Sequence, residues 1–224
     1  MITQFIHIKI KFANGYITIK GGHRIGLTGN VILSKGQVIN ISHIYSLNFR
    51  IAREILNCSN IAIPYILNGF RVYNTLIVSP PGRGKTTILR DLIRKLSDEI
   101  KLNVGVVDER GEIAAMYKGT PQNSIGDRTD ILDNIPKAIG MRMLIRSMNP
   151  KVIVADEIGT HEDIEAIKYA VCSGVSGIFT AHANNLEDIK RNPILNSLYD
   201  LNILERILLI NEDRTIKVLY KKEE

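Results

Sequence analysis

Residues 79–87 combine the residue types that bind the phosphate groups of a nucleotide. The run is Ser-Pro-Pro-Gly-Arg-Gly-Lys-Thr-Thr, and it stands between an apolar segment at 75–78 and the helical spacing of residues 88–96. Glycines at such a turn let the backbone approach a phosphate, and the amides at a helix N-terminus carry partial positive charge. The pattern therefore predicts a P-loop that binds ATP together with Mg²⁺.

Each position of this loop has an expected role. We expect Lys85 to neutralise the β and γ phosphates and the Thr86 hydroxyl to coordinate Mg²⁺. Ser79 stands where such loops usually have their first glycine, and we expect serine to be tolerated because this position ends the strand. The expected nucleotide-binding residues are Pro81, Gly82, Arg83, Gly84, Lys85, Thr86 and Thr87.

Three further side chains follow predicted strands. Asp156 and Glu157 come directly after the apolar run 152–155, and His182 follows the run 177–180. Open α/β sheets bind ligands at the carboxyl ends of their strands. We therefore expect Asp156 to hold Mg²⁺ through a bound water, Glu157 to polarise the attacking water, and His182 to sense the γ-phosphate or to orient Glu157.

A second acidic cluster, residues 108–112 (Asp-Glu-Arg-Gly-Glu), follows the strand predicted at 104–107 and is expected at the same edge, or else is an ordinary charged loop. Arg128, in the loop 126–130, is a candidate to reach phosphate in its own subunit or in a neighbouring one. The same possibility is open for Arg24, Arg50, Arg53, Arg142 and Arg146. The expected catalytic residues are Glu157, Lys85, His182, Glu109 and Arg128.

Two patterns of periodicity divide the chain. From residue 71, short apolar strands alternate with amphipathic helices, which predicts a mostly parallel sheet; strands are expected at 75–78, 104–107, 152–155, 177–180, 207–210 and 215–220. Before it, alternation at 5–12, an Asn14-Gly15 turn and short strands at 16–20, 25–27, 31–33 and 37–41 predict a small antiparallel sheet. Helical spacing begins near Ser42. We therefore expect a β-rich domain over 1–42, a helical linker over 43–70 and an α/β ATPase domain over 71–224.

Composition restricts the class of protein. With 224 residues, 45% of them hydrophobic, the chain can build a globular core, and no apolar run approaches the roughly 20 residues that span a membrane. The first residues resemble no signal peptide, and Cys58 and Cys172 are too far apart in sequence for a metal-binding motif, so we expect reduced thiols and a cytoplasmic location.

The net charge of +6 lies in residues 1–70, which hold seven Lys and Arg and a single acid, Glu54. Such a basic face suits nucleic acid, anionic lipid or an acidic protein surface.

Longer segments resemble one known family. SPPGRGKTTILRDLIR, VGVVDERGEI, GDRTDILD, KAIGMRMLIRSMNPKVIVADEIG, EDIEAI and TAHA, preceded by GYITIKGGHRIGLTG and SLNFRIARE, resemble the stage III sporulation protein AA family. These are RecA-like ATPases of endospore-forming bacteria, similar to the motor ATPases of type II and type IV secretion and of type IV pili. The resemblance implies Lys85 and Thr86 in the nucleotide site, Asp108, Glu109 and Glu112 as an acidic box, Asp156 and Glu157 as Walker B, and His182 as a histidine box.

The resemblance also implies an assembly. The relatives work as hexameric rings, so we expect a homo-oligomer, bound peripherally on the mother-cell side to membrane-embedded sporulation channel proteins, with nucleic acid an unlikely partner. The chain begins a few residues before the hairpin, where family members usually have a longer segment, so part of the N-terminal domain is expected to be missing. Two other functions stay open, namely a nucleic-acid-dependent RecA-like ATPase that uses the basic N-terminal face and a scaffold that binds nucleotide without hydrolysing it.

Overall fold

The computed structural model describes residues 15–223. The strand expected at 5–12 lies outside the described residues, as does Asn14 of the expected turn. The chain forms two compact units. Of the described residues, unit 1 comprises 15–54 and Ala115–Asn123, and unit 2 comprises Ile55–Ala114 and 124–223. The backbone therefore leaves unit 2 after Ala114, contributes nine residues to unit 1, and returns at Ser124.

Unit 1 is built on a three-stranded antiparallel sheet in the order β1-β2-β3. Its strands are β1 (Tyr16–Thr18), β2 (Arg24–Ser34) and β3 (Gln37–Arg50). The register of β2 against β3 shifts between Thr28 and Asn30. Gly29 lies at this irregularity, where an added Cβ would stand 2.7 Å from the Ser42 carbonyl oxygen. The glycine therefore lets the two backbones approach closely at a bulge. The sequence patterns predict separate short strands on either side of this position.

The helix expected from Ser42 is wrong, because β3 continues as a strand to Arg50. Helical spacing was suggested by Ile44, Leu47, Ile51 and Ile55. Two of these, Leu47 and Ile51, also fit a period of two, since Tyr45, Leu47, Phe49 and Ile51 alternate with polar or charged positions. Aromatic and branched side chains favour the strand conformation, and pairing with β2 supplies the backbone hydrogen bonds. The pairing therefore decides between two periodicities that the sequence leaves ambiguous.

Short elements occupy the rest of the expected helical linker. A 3₁₀ helix (Cys58–Ile61) is followed by α1 (Ile63–Ile66) and by a two-stranded ribbon of β4 (Leu67–Asn68) and β5 (Arg71–Val72). Pro64 stands in the first turn of α1, a position that tolerates its missing amide hydrogen. The chain therefore enters the main sheet through turns instead of one long helix.

A seven-stranded sheet forms the centre of unit 2, in the order β12-β11-β6-β10-β9-β7-β8. All neighbouring strands are parallel except the pair β11 and β12. The strands are β6 (Thr75–Val78), β7 (Val104–Asp108), β8 (Thr129–Asp133), β9 (Val152–Ala155), β10 (Ser176–Ala181), β11 (Arg206–Ile210) and β12 (Ile216–Lys221). Together with unit 1, this sheet confirms the expected mixed α/β class, while β8, an edge strand, was not predicted from the sequence.

Five helices pack with this sheet. The burial of its strands is typical of a parallel sheet. Every residue of β6, β7, β9 and β11 is buried, as expected for strands covered on both faces. Phe179, Leu76, Ile153 and Met141 are among the fully buried side chains of the core. The helices are α2 (Lys85–Asp98), α3 (Lys137–Met148), α4 (His161–Cys172), α5 (Leu186–Arg191) and α6 (Pro193–Asp200).

Candidate active site

The predicted P-loop joins β6, a central strand, to the N-terminus of α2. Gly82 and Gly84 have φ angles of 76° and 90°, which side-chain-bearing residues rarely adopt. A Cβ added at either glycine would meet no heavy atom within 4 Å, so the requirement for glycine is the backbone conformation itself. Gly84 precedes the helix as its N-cap residue, and Lys85 and Thr86 form the first turn. The loop therefore has the open, amide-rich geometry that accommodates a phosphate.

The remaining loop residues have local roles. The guanidinium of Arg83 forms an ion pair with Glu212, which lies just after β11. The carbonyl of Thr87 accepts a weak hydrogen bond from Cys58 Sγ at 3.5 Å, and Pro81 is exposed. Thus Arg83 and Thr87 link the P-loop and its helix to neighbouring segments of unit 2.

Lys85 is a buried cation with several oxygen partners. Its Nζ donates to the Ser79 carbonyl at 3.0 Å and to the Ser79 hydroxyl at 3.2 Å. Burial lowers the pKa of Lys85 from its ordinary 10.5, and the negative charges of Asp156 and Glu157 offset part of this effect. Ser79 is itself fully buried and donates its hydroxyl to the Pro80 carbonyl. The serine at the usual first glycine is therefore accommodated, and it contributes an oxygen near the lysine.

Asp156 lies next to Thr86, as expected for two groups that share a metal ion. Asp156 Oδ2 accepts a hydrogen bond from Thr86 Oγ1 at 2.6 Å, and Oδ1 accepts one from the Thr180 hydroxyl. Thr180 Oγ1 in turn accepts from the backbone amide of Glu157 at 2.8 Å. The parallel pairing of Ala155 with Phe179 puts these residues side by side at the strand ends. Thr180 thus fixes both acids. The sequence predicted Thr180 as the last residue of this strand but did not predict this role.

Glu157 and His182 form a chain of polar contacts with Lys85. His182 Nδ1 lies 3.1 Å from Lys85 Nζ, and His182 Nε2 lies 3.2 Å from Glu157 Oε1. An ammonium can only donate, so Nδ1 must accept and Nε2 must carry the proton that is directed at Glu157. The backbone of Glu157 has a φ of 52°, a left-handed conformation that costs on the order of 1–3 kcal/mol for such a residue. The structure therefore holds Glu157 in a strained turn facing His182.

The acidic cluster after β7 serves mainly to build its own loop. Asp108 is 2% exposed, and its carboxylate accepts hydrogen bonds from the backbone amides of Glu112, Ile113 and Ala114 at 2.8–3.1 Å. Burial raises the pKa of Asp108 above its ordinary 3.8, and these hydrogen bonds offset the effect only in part. Glu109 forms an ion pair with Lys137, the first residue of α3. The expectation that the cluster lies at the ligand edge holds, because it lines one narrow cleft together with Asp156 and Glu157.

Arg128 lies at the other end of the sheet. Its carbonyl accepts from the amide of Val104 at 2.9 Å, and Val104 begins β7, whereas the site lies where the parallel strands finish. A strand of five residues spans about 16 Å. Arg128 therefore does not belong to the site of its own subunit, which corrects one part of the prediction. Its role toward a neighbouring subunit stays a prediction.

The residues present fit a magnesium nucleotide. The Thr86 hydroxyl and the Asp156 carboxylate are oxygen donors of the kind that Mg²⁺ prefers, and the P-loop amides suit phosphate. Among residues 15–223, no group of three or more His, Cys, Asp and Glu side chains is arranged to hold a metal ion by itself. Mg²⁺ is usually bound by one or two protein oxygens together with substrate phosphates.

The amino-acid sequence matches one family over nearly its whole length. The profile of the family described as "Sporulation stage III, protein AA" matches residues 6–223. Stage III sporulation protein AA of Bacillus subtilis (strain 168) is 42% identical over 216 residues, which cover 93% of this chain and 70% of that protein. In the part of the chain that the structure describes, no helix is both long and apolar enough to cross a membrane.

Solved structures share the fold at low sequence identity. The Legionella pneumophila ATPase DotB superposes with a TM-score of 0.57 and 17% identity, covering 88% of this chain and 57% of that one. The pilus retraction motor PilT, solved with bound ADP, gives a TM-score of 0.61 and 15% identity, covering 93% and 63%. The chain spans less than two thirds of either structure. The likeness confirms the expected fold of a P-loop ATPase core preceded by a small antiparallel sheet.

Proposed function

The chain belongs to the stage III sporulation protein AA family, and from this premise we propose that it binds and hydrolyses ATP with Mg²⁺. One observation carries the proposal, which is the convergence of Lys85, Asp156 and Glu157 at the carboxyl edge of the sheet, beside the P-loop. A phosphate-binding loop alone would suit any nucleotide-binding protein. A carboxylate that a neighbouring histidine orients toward the lysine suits hydrolysis.

The side chains suggest a division of labour. Lys85 would exchange its contacts with the Ser79 and Pro80 carbonyls for phosphate oxygens. Thr86 and Asp156 would hold Mg²⁺, which spreads the charge that develops on the transferred phosphoryl group. Glu157 would orient the attacking water and accept its proton. His182 contacts both Glu157 and Lys85, so it would align the base with the phosphate-binding cation.

We further propose that hydrolysis drives a motor at a membrane-bound assembly. The supports are the family's sporulation name and the fold shared with a pilus retraction motor and a bacterial ATPase. On this proposal the chain forms a homohexameric ring on the cytoplasmic face of a membrane complex in the mother cell, and it energises assembly or operation of a channel to the forespore.

ATP turnover per protomer, measured over a wide range of protein concentrations, tests the proposal. We expect Mg²⁺-dependent turnover that is abolished in Lys85→Ala and whose specific rate rises with concentration, because a neighbouring subunit completes the site. Binding without turnover at any concentration would contradict hydrolysis and favour a nucleotide-dependent scaffold. Stimulation by DNA that weakens steeply with salt would instead favour the nucleic-acid-dependent ATPase.

A further inference from the structure

Arg110 lies at the tip of the loop that Asp108 organises. The Asp108 carboxylate binds three backbone amides of the following residues, and the Gly111 amide donates to the Asp108 carbonyl at 3.2 Å. Gly111 has a φ of 65°, a left-handed conformation that glycine adopts readily, at the turn directly after Arg110. The backbone of Arg110 is thus fixed by buried hydrogen bonds, although its side chain is 61% exposed.

The guanidinium of Arg110 reaches across to the end of the neighbouring strand. It forms an ion pair with Oε2 of Glu157, while the other oxygen, Oε1, lies 3.2 Å from His182 Nε2. Both carboxylate oxygens of Glu157 are therefore held, each by a different segment. Strand β7 supplies one contact through its loop, and strand β10 supplies the other.

This arrangement matters for orientation and not for folding. An ion pair in which the arginine is this exposed contributes little to stability. A general base, in contrast, must stay within hydrogen-bond reach of the water that it activates, and a displacement of 1 Å can cost about 100-fold in rate. A carboxylate held at one oxygen can rotate about its last bond, whereas one held at both cannot.

We propose that Arg110 is a positioning residue for Glu157 in the hydrolysis of ATP. It holds the carboxylate against His182 so that the base stays in place when water attacks. The inference rests on the proposed function. It adds Arg110 to the residues that the proposed hydrolysis uses, which are those of the P-loop, the acid pair and the histidine. It also assigns the acidic loop a purpose, since Asp108 fixes the backbone from which Arg110 extends.

The test compares Arg110→Ala and Arg110→Lys with the wild type by steady-state ATP hydrolysis. Arg191→Ala is the matched control, because Arg191 is 79% exposed and pairs only weakly, at 3.5 Å, with Glu187 on α5. We expect kcat to fall about 10- to 100-fold in Arg110→Ala with KM for ATP within about twofold of the wild type. Arg110→Lys should recover part of kcat, and millimolar guanidinium should restore part of it in the alanine variant. The control should keep the wild-type kcat, and the thermal unfolding midpoint should not change in any variant.

The outcomes separate this proposal from the proposed function. If the wild type hydrolyses ATP, Lys85→Ala does not, and Arg110→Ala keeps the wild-type kcat, then positioning by Arg110 is overturned and hydrolysis stands. A higher kcat, or a higher KM with unchanged kcat, would also overturn it, because the arginine would then restrain the carboxylate or bind substrate. A wild type that hydrolyses no ATP would overturn both.

Discussion

The two units of the molecule differ in where they keep their apolar side chains. In unit 2, four strands of the main sheet are buried at every residue, and each of them contributes side chains to one hydrophobic core. In the described part of unit 1, only Leu27 and Ala115 belong to the buried apolar set. The large apolar side chains exposed on its strands are Val31, Ile32, Leu33, Val38, Ile39, Ile44, Tyr45, Leu47 and Phe49.

Unit 2 is thus stabilised by its own hydrophobic core. In the described part of unit 1, the strands are held mainly by backbone hydrogen bonds between them. The candidate site residues Lys85, Asp156, Glu157 and His182 all belong to unit 2. The acids and the histidine follow strand ends, and the lysine begins α2, so a packed core holds the elements that carry them, as precise catalytic geometry requires. A surface with many exposed apolar side chains typically marks a site of interaction. The comparison therefore predicts unequal responses to the same substitution in the two units.

The largest effect is expected from Phe179→Ala in β10. Phe179 is fully buried, and its ring packs over Gly177, where an added Cβ would come within 2.3 Å of it. Truncating such a side chain leaves a cavity and typically costs about 3–5 kcal/mol. Denaturant unfolding monitored by circular dichroism measures the loss.

Phe49→Ala is the matched control, since it removes the same side chain from β3, where Phe49 is 58% exposed. We expect a change within about 0.5 kcal/mol, as for an ordinary surface position. A cost close to that of Phe179→Ala would break the comparison, because it would show that Phe49 is covered in solution.

A smaller effect is expected from Asp91→Asn, which tests a polar anchor of unit 2. Asp91, on α2, accepts hydrogen bonds from the amide and hydroxyl of Ser59 at 2.9 and 2.6 Å and pairs with Arg94. Burial alone would raise the pKa of Asp91, but the hydrogen bonds from Ser59 and Arg94 outweigh it, so the pKa lies below the ordinary 3.8. Replacing the charged acceptor should cost about 1–3 kcal/mol at neutral pH.

The sign of the pH dependence follows from that lowered pKa. The native state favours ionised Asp91, so its contribution is complete above the ordinary pKa of 3.8 and is lost as pH falls through the lower native pKa. Unfolding free energies measured at a series of acidic pH values should therefore fall less steeply in Asp91→Asn than in the wild type. Parallel curves would show that Asp91 does not contribute in this way.

The sequence predicted unit 2 far better than unit 1, for a physical reason. Strands such as 75–78 and 152–155 are short apolar runs followed at once by residues of clear chemistry, so their positions and their shared edge could be inferred. In β3, the apolar residues fit both a helical and an extended period, and only pairing with β2 decides between them. Local pattern cannot supply a contact between distant segments.

The same distinction applies within the site. Lys85, Thr86, Asp156 and Glu157 were expected from local motifs, and the structure brings them together. Thr180 and Arg110 were missed because their importance arises from contacts made across neighbouring strands. The alternative that Arg128 acts in its own subunit could not be excluded from the sequence, because sequence order does not show at which end of the sheet a loop lies. Its position follows from the parallel pairing of β7 with β8.

Nucleotide binding and hydrolysis measured side by side in Glu157→Gln and Lys85→Ala test the central claim most directly. A glutamine amide has nearly the shape of the glutamate carboxylate, but it cannot take a proton from water. We predict that Glu157→Gln retains bound ATP while its hydrolysis falls by about 100-fold or more, and that Lys85→Ala loses binding as well. Hydrolysis at the wild-type rate in Glu157→Gln would contradict the claim that this carboxylate, facing the P-loop beside His182, is the catalytic base.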